Sequence, residues 1–240
     1  MNKKHILKYI ISFFLTLYFS FSWSQQETAN DSIQLIKNDS LKTKKYAAIR
    51  IGIDVSRPII QLLQKQDLGI EITADYKVAK NWYIASEFGY ESEPGHEDQI
   101  DFHTKGSYAK LGFNYNAYEN LEGLNNEVYI GLRYGFSQFQ QQLTSYTVID
   151  LDDYFGDYTA TPGTVYEGLA AHWAELHFGL KVETLPHLYL AVGIHFKKLL
   201  SDEVPEGFAN LYIPGFNKVL LNRDTIGFNY TISYQIPLKK

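Results

Sequence analysis

The sequence of 240 residues contains no cysteine and only one methionine. The absence of cysteine excludes a disulfide framework, a thiolate metal site and a lipid anchor on cysteine. A basic patch for nucleic acid is missing as well, because 22 Lys and Arg face 27 Asp and Glu. Long apolar runs are missing outside the N-terminus, and a mean hydropathy of −0.24 is too polar for a bundle of membrane helices.

Aromatic residues, by contrast, are abundant. Nineteen Tyr and fifteen Phe favour β-strands, on whose pleated faces aromatic rings pack well. A length of 240 residues allows one or two domains, and all-β barrels of this size commonly form one.

The N-terminus has the pattern of a secretory signal peptide. Lys3, Lys4 and Lys8 precede the apolar run Tyr9–Trp23, and Ser24 is a small residue suited to cleavage. The alternative is an uncleaved membrane helix, but the run is shorter than the roughly 20 residues that span a bilayer. We predict cleavage after Ser24, which lowers the formal net charge from −5 to −8.

The stretch after the predicted signal peptide is polar and of mixed charge. It reads "QQETANDSIQLIKNDSLKTKK" and has no sustained period. We interpret residues 25–45 as a flexible periplasmic leader and residues 46–240 as the folded body.

The body alternates between apolar and polar residues in eight segments. In "EVYIGLRYGFSQF", for example, Val128, Ile130 and Leu132 share one face, while Tyr129 and Arg133 share the other. A period of two predicts strands, and the segments have about the 9–11 residues that a tilted strand needs to cross a bilayer. The predicted strands are Ala47–Ser56, Leu68–Val78, Trp82–Tyr90, Gly106–Asn116, Glu127–Phe139, His172–Val182, Leu188–Lys197 and Ile226–Leu238.

The connections between these segments alternate in length. Three are short to moderate: Ala79–Asn81, Ala117–Asn126 and Glu183–His187. Four are long: Arg57–Asp67, Glu91–Lys105, Gln140–Ala171 and Lys198–Thr225. This segregation is typical of outer-membrane barrels, whose short turns are periplasmic. The sequence therefore predicts an all-β fold, a closed, antiparallel, up-and-down, eight-stranded transmembrane β-barrel.

Two patterns indicate that the apolar face lies outside. Glycines within the strands fall on the polar face, and glycine suits the concave side of a tightly curved sheet. On the apolar face, Tyr76 and Trp82 lie near the short turns, whereas Tyr90 and Tyr134 lie near the long loops. Two aromatic girdles around an aliphatic belt are typical of a lipid-facing surface. A soluble barrel with an apolar lumen is the alternative.

The chain resembles the small eight-stranded outer-membrane β-barrels of Gram-negative bacteria, which include the OmpA transmembrane domain and OmpX. More narrowly, it resembles an uncharacterised Bacteroidota family of such barrels. The stretches "EITADYKVAKNWYIASEFGYE" and "NLYIPGFNKVLLNRDTIGFNYTISYQIPL" carry this resemblance. It implies insertion by the barrel assembly machinery. Such barrels often end on an aromatic residue, whereas this chain ends Ile236-Pro237-Leu238-Lys239-Lys240.

The polar face carries six residues of each charge. An eight-stranded barrel has a lumen just wide enough for its own side chains, where each charge needs a partner. We therefore predict an ion-pair network that fills the lumen, with a narrow channel or a proton or solute relay as alternatives. Its members are Arg50, Lys77, Lys110, Arg133, Lys181 and Lys197 with Asp54, Glu71, Asp75, Glu87, Glu127 and Glu175.

Few residues suggest chemistry. His177 and His195 project inward beside Glu175, a set that can bind a metal or transfer protons, but without a recognised ligand spacing. We interpret them as hydrogen-bonded interior histidines, with no metal or cofactor. Ser86 and Ser107 have no histidine nearby in register, so we predict no catalytic residues and no enzyme.

Three loop segments have unusual compositions. Glu91–His103 and Asp150–Asp157 are acidic, which leaves open a divalent-cation site, although solvated acidic loops are the simpler interpretation. Leu211–Leu221 is apolar for a loop, so we predict that it folds over the barrel mouth as a lid; a partner surface is the alternative.

Taken together, the sequence predicts a monomeric, non-enzymatic protein of the outer membrane with a structural or surface-interaction role. Its expected partners are outer-membrane lipid and the assembly machinery, and not nucleic acid. A lipid-modifying outer-membrane enzyme and a soluble periplasmic ligand-binding barrel are the alternatives.

Overall fold

The computed structural model describes residues 47–58, 69–97, 99–120, 125–149, 156 and 158–238. The predicted signal peptide, residues 1–24, and the predicted leader, residues 25–45, lie outside the described residues. No helix within the described part is long and apolar enough to cross a membrane.

Eight long strands form one antiparallel ring, as predicted. They follow one another around the ring in chain order, and the last strand pairs with the first. The eight are β1 Ala47–Asp54, β2 Gly69–Lys77, β3 Trp82–Glu97, β4 Ile100–Asn116, β5 Glu127–Val148, β7 Thr164–Leu185, β8 Leu188–Asp202 and β11 Asp224–Leu238. Three short strands lie in the connections: β6 Tyr158–Ala160, β9 Tyr212–Ile213 and β10 Asn217–Lys218.

The ring closes between β1 and β11. Ala47 pairs with Leu238, and the register continues without interruption to Asp54 and Thr231. Closure leaves neither strand as a free edge along this register, which removes the unpaired backbone groups that an open sheet would expose. The predicted fold class, a closed up-and-down barrel of eight antiparallel strands, is confirmed.

Several strands are much longer than predicted. Strands β5 and β7 have 22 residues each, and β3 and β4 have 16 and 17. Parts of the predicted long loops Glu91–Lys105 and Gln140–Ala171 are therefore strand, and the expectation of loops there was wrong. At about 3.4 Å per residue, 22 residues span more than twice the roughly 30 Å of a bilayer core. Most of the extra length lies at the end of the long connections; at the short-turn end, β7 continues only from the predicted Val182 to Leu185.

The apolar face is on the outside of the barrel. Ile130, Leu176 and Val192 are 44%, 39% and 39% exposed, whereas Arg133 and Glu175 are 4% and 1% exposed. This arrangement is the reverse of a soluble barrel, in which the same alternation would bury the aliphatic side chains. Among the described residues, the lumen at the level of Arg133 and Glu175 is charged, and not apolar as the soluble ligand-binding alternative requires.

Aromatic side chains border the aliphatic belt at both ends. At the short-turn end, Trp82 lies 5.4 Å from Phe113 and 5.1 Å from Tyr115, measured between ring centroids. At the long-connection end, Tyr134 and Phe228 are exposed. The two girdles predicted from the sequence are therefore present on the outer surface.

Interior glycines lie opposite interior aromatic rings. Four such pairs face each other across neighbouring strands: Gly89 with Tyr108, Gly95 with Phe102, Gly135 with Trp173, and Gly179 with Tyr129. In each pair a β-carbon on the glycine would lie less than 3 Å from ring atoms. Glycine thus provides room for a large ring inside a narrow barrel, in addition to the curvature expected of it.

Candidate functional site

The lumen is filled by two clusters of charged side chains and an apolar cluster. The lower cluster, nearest the short turns, consists of Arg50, Asp75, Glu127 and Lys181. The Arg50 guanidinium donates to Asp75 and Glu127, each at 2.6 Å, and Lys181 Nζ donates to Asp75 at 2.5 Å. All four residues were predicted, and they come from four different strands of the ring.

Two tyrosine rings enclose the lower cluster. The guanidinium carbon of Arg50 lies 4.6 Å from the ring centroid of Tyr83 and 5.2 Å from that of Tyr189. Cation–π interactions with these two rings stabilise the guanidinium in addition to its two carboxylate partners. Arg50 and Glu127 also line a cavity of about 500 Å³ at the short-turn end. The lower cluster therefore forms one wall of this cavity.

The central cluster is organised around Lys110. Its Nζ lies 3.0 Å from Glu71, 2.9 Å from Glu87 and 3.8 Å from Glu175. Arg133 contacts Glu87 at 3.2 Å, and Lys197 contacts Glu175 at 3.7 Å. Lys110 and Glu175 are almost fully buried, so each charge depends on these partners in place of water.

Arg57 extends the central cluster toward the long connections, which the sequence did not predict. It forms an ion pair with Glu91 and lies 3.8 Å from Asp54 and 4.0 Å from Glu71. Arg57 and Glu91 had been assigned to loops because they follow the last clearly alternating residues. Lys77, predicted as a network member, is instead exposed and lies 5.5 Å from the ring of Tyr83.

The apolar cluster fills the lumen above the central cluster. Its centre is Trp173, whose ring lies 6.0 Å from that of Phe216. Ile213 and Phe216 are fully buried although they belong to the connection between β8 and β11. The cluster consists of Tyr108, Phe139, Leu169, Ala171, Trp173, Leu199, Ile213 and Phe216.

The predicted lid is present, and it enters the barrel. We call β9, β10 and the turn Pro214–Phe216 between them the lid hairpin. Glu91 accepts hydrogen bonds from Tyr212 Oη at 2.8 Å and from the Gly215 amide at 2.9 Å, and Lys197 donates to the Gly215 carbonyl at 2.7 Å. Burial raises the pKa of Tyr212 to about 12, so its hydroxyl remains a donor at neutral pH.

The two inward histidines lie together beside Glu175, as their register predicted. Their rings stack with centroids 3.8 Å apart, and His177 Nε2 lies 2.5 Å from Glu175 Oε2. His195 Nδ1 lies 3.9 Å from the same oxygen. The three residues form a group of possible metal donors whose ligand atoms all lie within 4.8 Å of one another.

The serines and the acidic loop segments singled out in the sequence form no comparable cluster among the described residues. Ser86 Oγ donates to the Ala74 carbonyl at 3.5 Å, and Ser107 is exposed on the outer face. Within the acidic segment Glu91–His103, Asp101 accepts a hydrogen bond from Ser145 at 2.6 Å and contacts His96. In Asp150–Asp157, the structure describes only Gly156, so the predicted acidic cluster there lies outside the described residues.

Residues 6–240 match a family model described as a domain of unknown function, DUF6048. The chain belongs to the DUF6048 family. No curated protein matches the sequence.

Three solved structures are similar to this chain at low sequence identity. Ail, the attachment invasion locus protein of Yersinia pestis, is 11% identical with a TM-score of 0.38, over 79% of this chain and 97% of that one. A major outer membrane protein from Thermus thermophilus is 10% identical with a TM-score of 0.44, over 79% and 99%. Neisserial surface protein A is 10% identical with a TM-score of 0.37, over 80% and 96%.

Proposed function

We propose that this DUF6048 protein is a monomeric, non-enzymatic outer-membrane barrel with a structural or surface-interaction role. The observation that carries the proposal is the inverted distribution of side chains. Isoleucine, leucine and valine surround the barrel, and ion pairs fill it. Exposed aliphatic side chains are stable in contact with acyl chains, whereas in water such a continuous belt would drive aggregation.

The filled lumen supports a role other than transport. Ion pairs occupy its lower and central parts, and Trp173 and Phe216 fill the space above them. In barrels of eight strands, side chains fill the lumen, whereas porins with a water-filled lumen have many more strands. The lid hairpin adds a further barrier at the long-connection end.

The long strands support the surface-interaction part of the proposal. In a barrel whose short turns face the periplasm, β3, β4, β5 and β7 extend beyond the outer aromatic girdle into the medium. A paired sheet of this kind presents backbone and side chains at fixed positions far from the membrane. The OmpA- and OmpX-like architecture and the Bacteroidota origin suggested by the sequence are part of this proposal, as are the cleaved signal peptide and insertion by the assembly machinery.

Fractionation tests the location. The full-length protein should sediment with outer membranes, and its gel mobility should change on heating, because folded membrane barrels resist detergent unfolding. Protease added to intact cells should cut within residues 140–171. Recovery of the protein in the soluble periplasmic fraction, with no change in mobility on heating, would contradict the proposal.

Planar-bilayer recording and lipid analysis test the role. Purified protein should give no steady open current, since charged and apolar side chains fill the lumen. Deletion of the gene should leave the lipid A mass profile unchanged. A steady conductance would overturn the filled lumen, and a lipid A change that depends on His177 or His195 would indicate the lipid-modifying enzyme instead.

A further inference from the structure

The carboxylate of Glu175 has two differently used oxygens. Oε1 accepts a hydrogen bond from Trp173 Nε1 at 2.6 Å and lies 3.8 Å from Lys110 Nζ and 3.7 Å from Lys197 Nζ. Oε2 faces the two histidines. The first oxygen is thus held by cationic and neutral donors, which fix the direction of the second.

The donor atoms around Oε2 lie at spacings close to those of a zinc site. With metal–ligand bonds of about 2.0–2.2 Å, two ligands of a tetrahedral zinc ion are roughly 3.3–3.5 Å apart. The observed separations from Oε2 are 2.5 Å to His177 Nε2 and 3.9 Å to His195 Nδ1, so they bracket that value. A metal lies in the plane of each ligating imidazole, so both nitrogens can reach one ion only after the two rings turn out of their stacked, nearly parallel arrangement.

The other nitrogen of His195 has a second partner available. His195 Nε2 and Asn229 Oδ1 are both buried without a hydrogen-bond partner among the described residues. A β-carbon on Gly193 would lie 3.5 Å from the first atom and 2.5 Å from the second, so both atoms face the same small space. Asn229 Nδ2 donates to Thr231 Oγ1 at 3.2 Å, which leaves Oδ1 as the acceptor.

This arrangement matches the outer shell of a histidine-bound metal. A ligating histidine usually donates its second N–H to a carbonyl or carboxylate, which fixes its tautomer. Coordination through Nδ1 of His195 would place its proton on Nε2, opposite the unpaired oxygen of Asn229. The two atoms do not hydrogen-bond to each other in this structure, so the turn of the imidazole that coordination requires must also bring Nε2 to Asn229 Oδ1.

The central cluster carries one surplus negative charge. Five carboxylates face four cationic side chains there: Asp54, Glu71, Glu87, Glu91 and Glu175 against Arg57, Lys110, Arg133 and Lys197. The lower cluster is balanced, with two of each. A buried surplus charge is costly, and a proton on one of the carboxylates or on the histidine pair offsets it, as does a bound cation.

We propose that Glu175 Oε2, His177 Nε2 and His195 Nδ1 bind one divalent ion of the zinc class inside the lumen. Two imidazoles and one carboxylate are a typical zinc donor set. A cavity of about 40 Å³ lined by His177, Glu87 and Asn229 has room for a water beside His177. The ion joins the neighbouring strands β7 and β8 at mid-lumen.

Metal content after refolding tests the proposal. The full-length mature protein is refolded in detergent with Zn²⁺, dialysed against a weak chelator, and measured by elemental mass spectrometry. We expect one zinc per chain in the wild type and none in His177→Gln or His195→Gln. His172→Gln is the matched control, since His172 lies outside the lumen and contacts Tyr134. Absence of zinc from the wild type, or equal retention in the lumen variants, overturns the site.

Two further measurements keep the test decisive if a lumen variant does not fold. Co²⁺ added to refolding wild-type protein should give the intense visible absorption of a tetrahedral complex; only the weak spectrum of the aquated ion overturns the site. Asn229→Leu should weaken Zn²⁺ affinity about 10- to 100-fold by removing the partner of His195 Nε2. Unchanged affinity in that variant overturns the assignment of Nδ1 as the ligand atom.

Discussion

The indole of Trp173 lies over Gly135, its direct partner across β5 and β7. A β-carbon on Gly135 would come within 3 Å of several indole atoms. The ring is fully buried, and its Nε1 donates to Glu175 at 2.6 Å, so it cannot move aside without breaking that hydrogen bond. The space left by Gly135 therefore fixes the position of Trp173, which in turn packs in the apolar cluster and holds the carboxylate of Glu175.

Gly135→Ala should destabilise the barrel. The added methyl group overpacks the lumen, which typically costs about 1–3 kcal/mol in the free energy of unfolding. Gly69→Ala is the control, because a β-carbon there would meet its nearest neighbour at 3.6 Å, an ordinary contact. Urea unfolding in detergent micelles measures both. Equal stabilities of the two variants would show that the indole adapts without cost.

The sequence predicts the barrel well because each strand has an exposed apolar face and a buried polar face. Ile130 lies on the outer face and Arg133 in the lumen, and this difference produces the period of two along β5. Beyond the girdle at the long-connection end, the outer face of the strand is polar as well, and the alternation fades. Gln140 and Gln142 illustrate this, since both lie within β5 in a stretch that had been assigned to a loop.

The lumen was predicted less completely, because alternation gives the face of a residue but not its depth or its cross-strand partner. Lys77 has the parity of an interior residue, yet it lies at the short-turn mouth and is exposed. Arg57 lies beyond the end of β1, and only the folded structure shows that it forms an ion pair with Glu91. The pairing of Trp173 with Gly135 depends on the register between strands, which the sequence of either strand does not contain.

Lys110→Met should be strongly destabilising. The variant leaves Glu71, Glu87 and Glu175 without their shared cation, and breaking a buried ion pair typically costs about 3–5 kcal/mol. Lys80→Met is the matched control, because its contact with Glu119 is exposed and at 3.9 Å. Such surface pairs contribute roughly 0–1 kcal/mol. Urea denaturation of both variants in the same micelles provides the comparison, and a loss below about 1 kcal/mol for Lys110→Met would contradict the central role of this lysine.

Glu91→Gln should loosen the lid hairpin while leaving the barrel folded. The change removes the ion pair with Arg57 and replaces a charged acceptor for Tyr212 and the Gly215 amide with a neutral one. Hydrogen bonds to charged groups contribute about 1.5–3 kcal/mol, so amides of the hairpin should exchange about 10- to 100-fold faster. Glu206→Gln, on the exposed side of the same connection, should not change exchange rates. Mass-spectrometric hydrogen exchange resolves the hairpin from β8 and β11, and uniform acceleration across all three would indicate global destabilisation instead.

The tip of the β3–β4 hairpin should depend on pH through Asp101. A hydrogen bond from Ser145, followed by the contact with His96, holds the pKa of the Asp101 carboxyl below its usual value. A folded-state pKa below the unfolded one means that Asp101 stabilises the tip fully above about pH 4, its ordinary pKa. This stabilisation is lost as the pH falls through the lower, folded-state pKa. Amide exchange near residue 101, corrected for the intrinsic pH dependence of the exchange rate, should therefore accelerate only in the acid range.

Two variants separate this titration from a general acid effect. Asp101→Asn cannot titrate, so the acid-induced acceleration near residue 101 should disappear. Ser145→Ala removes the main cause of the lowered pKa, and the acceleration should then begin at a higher pH than in the wild type. An unchanged profile in Ser145→Ala would mean that His96, rather than the serine hydroxyl, stabilises the ionised carboxylate. In that case the hairpin tip would be stabilised by the contact between β3 and β4, because Asp101 and His96 are direct cross-strand partners.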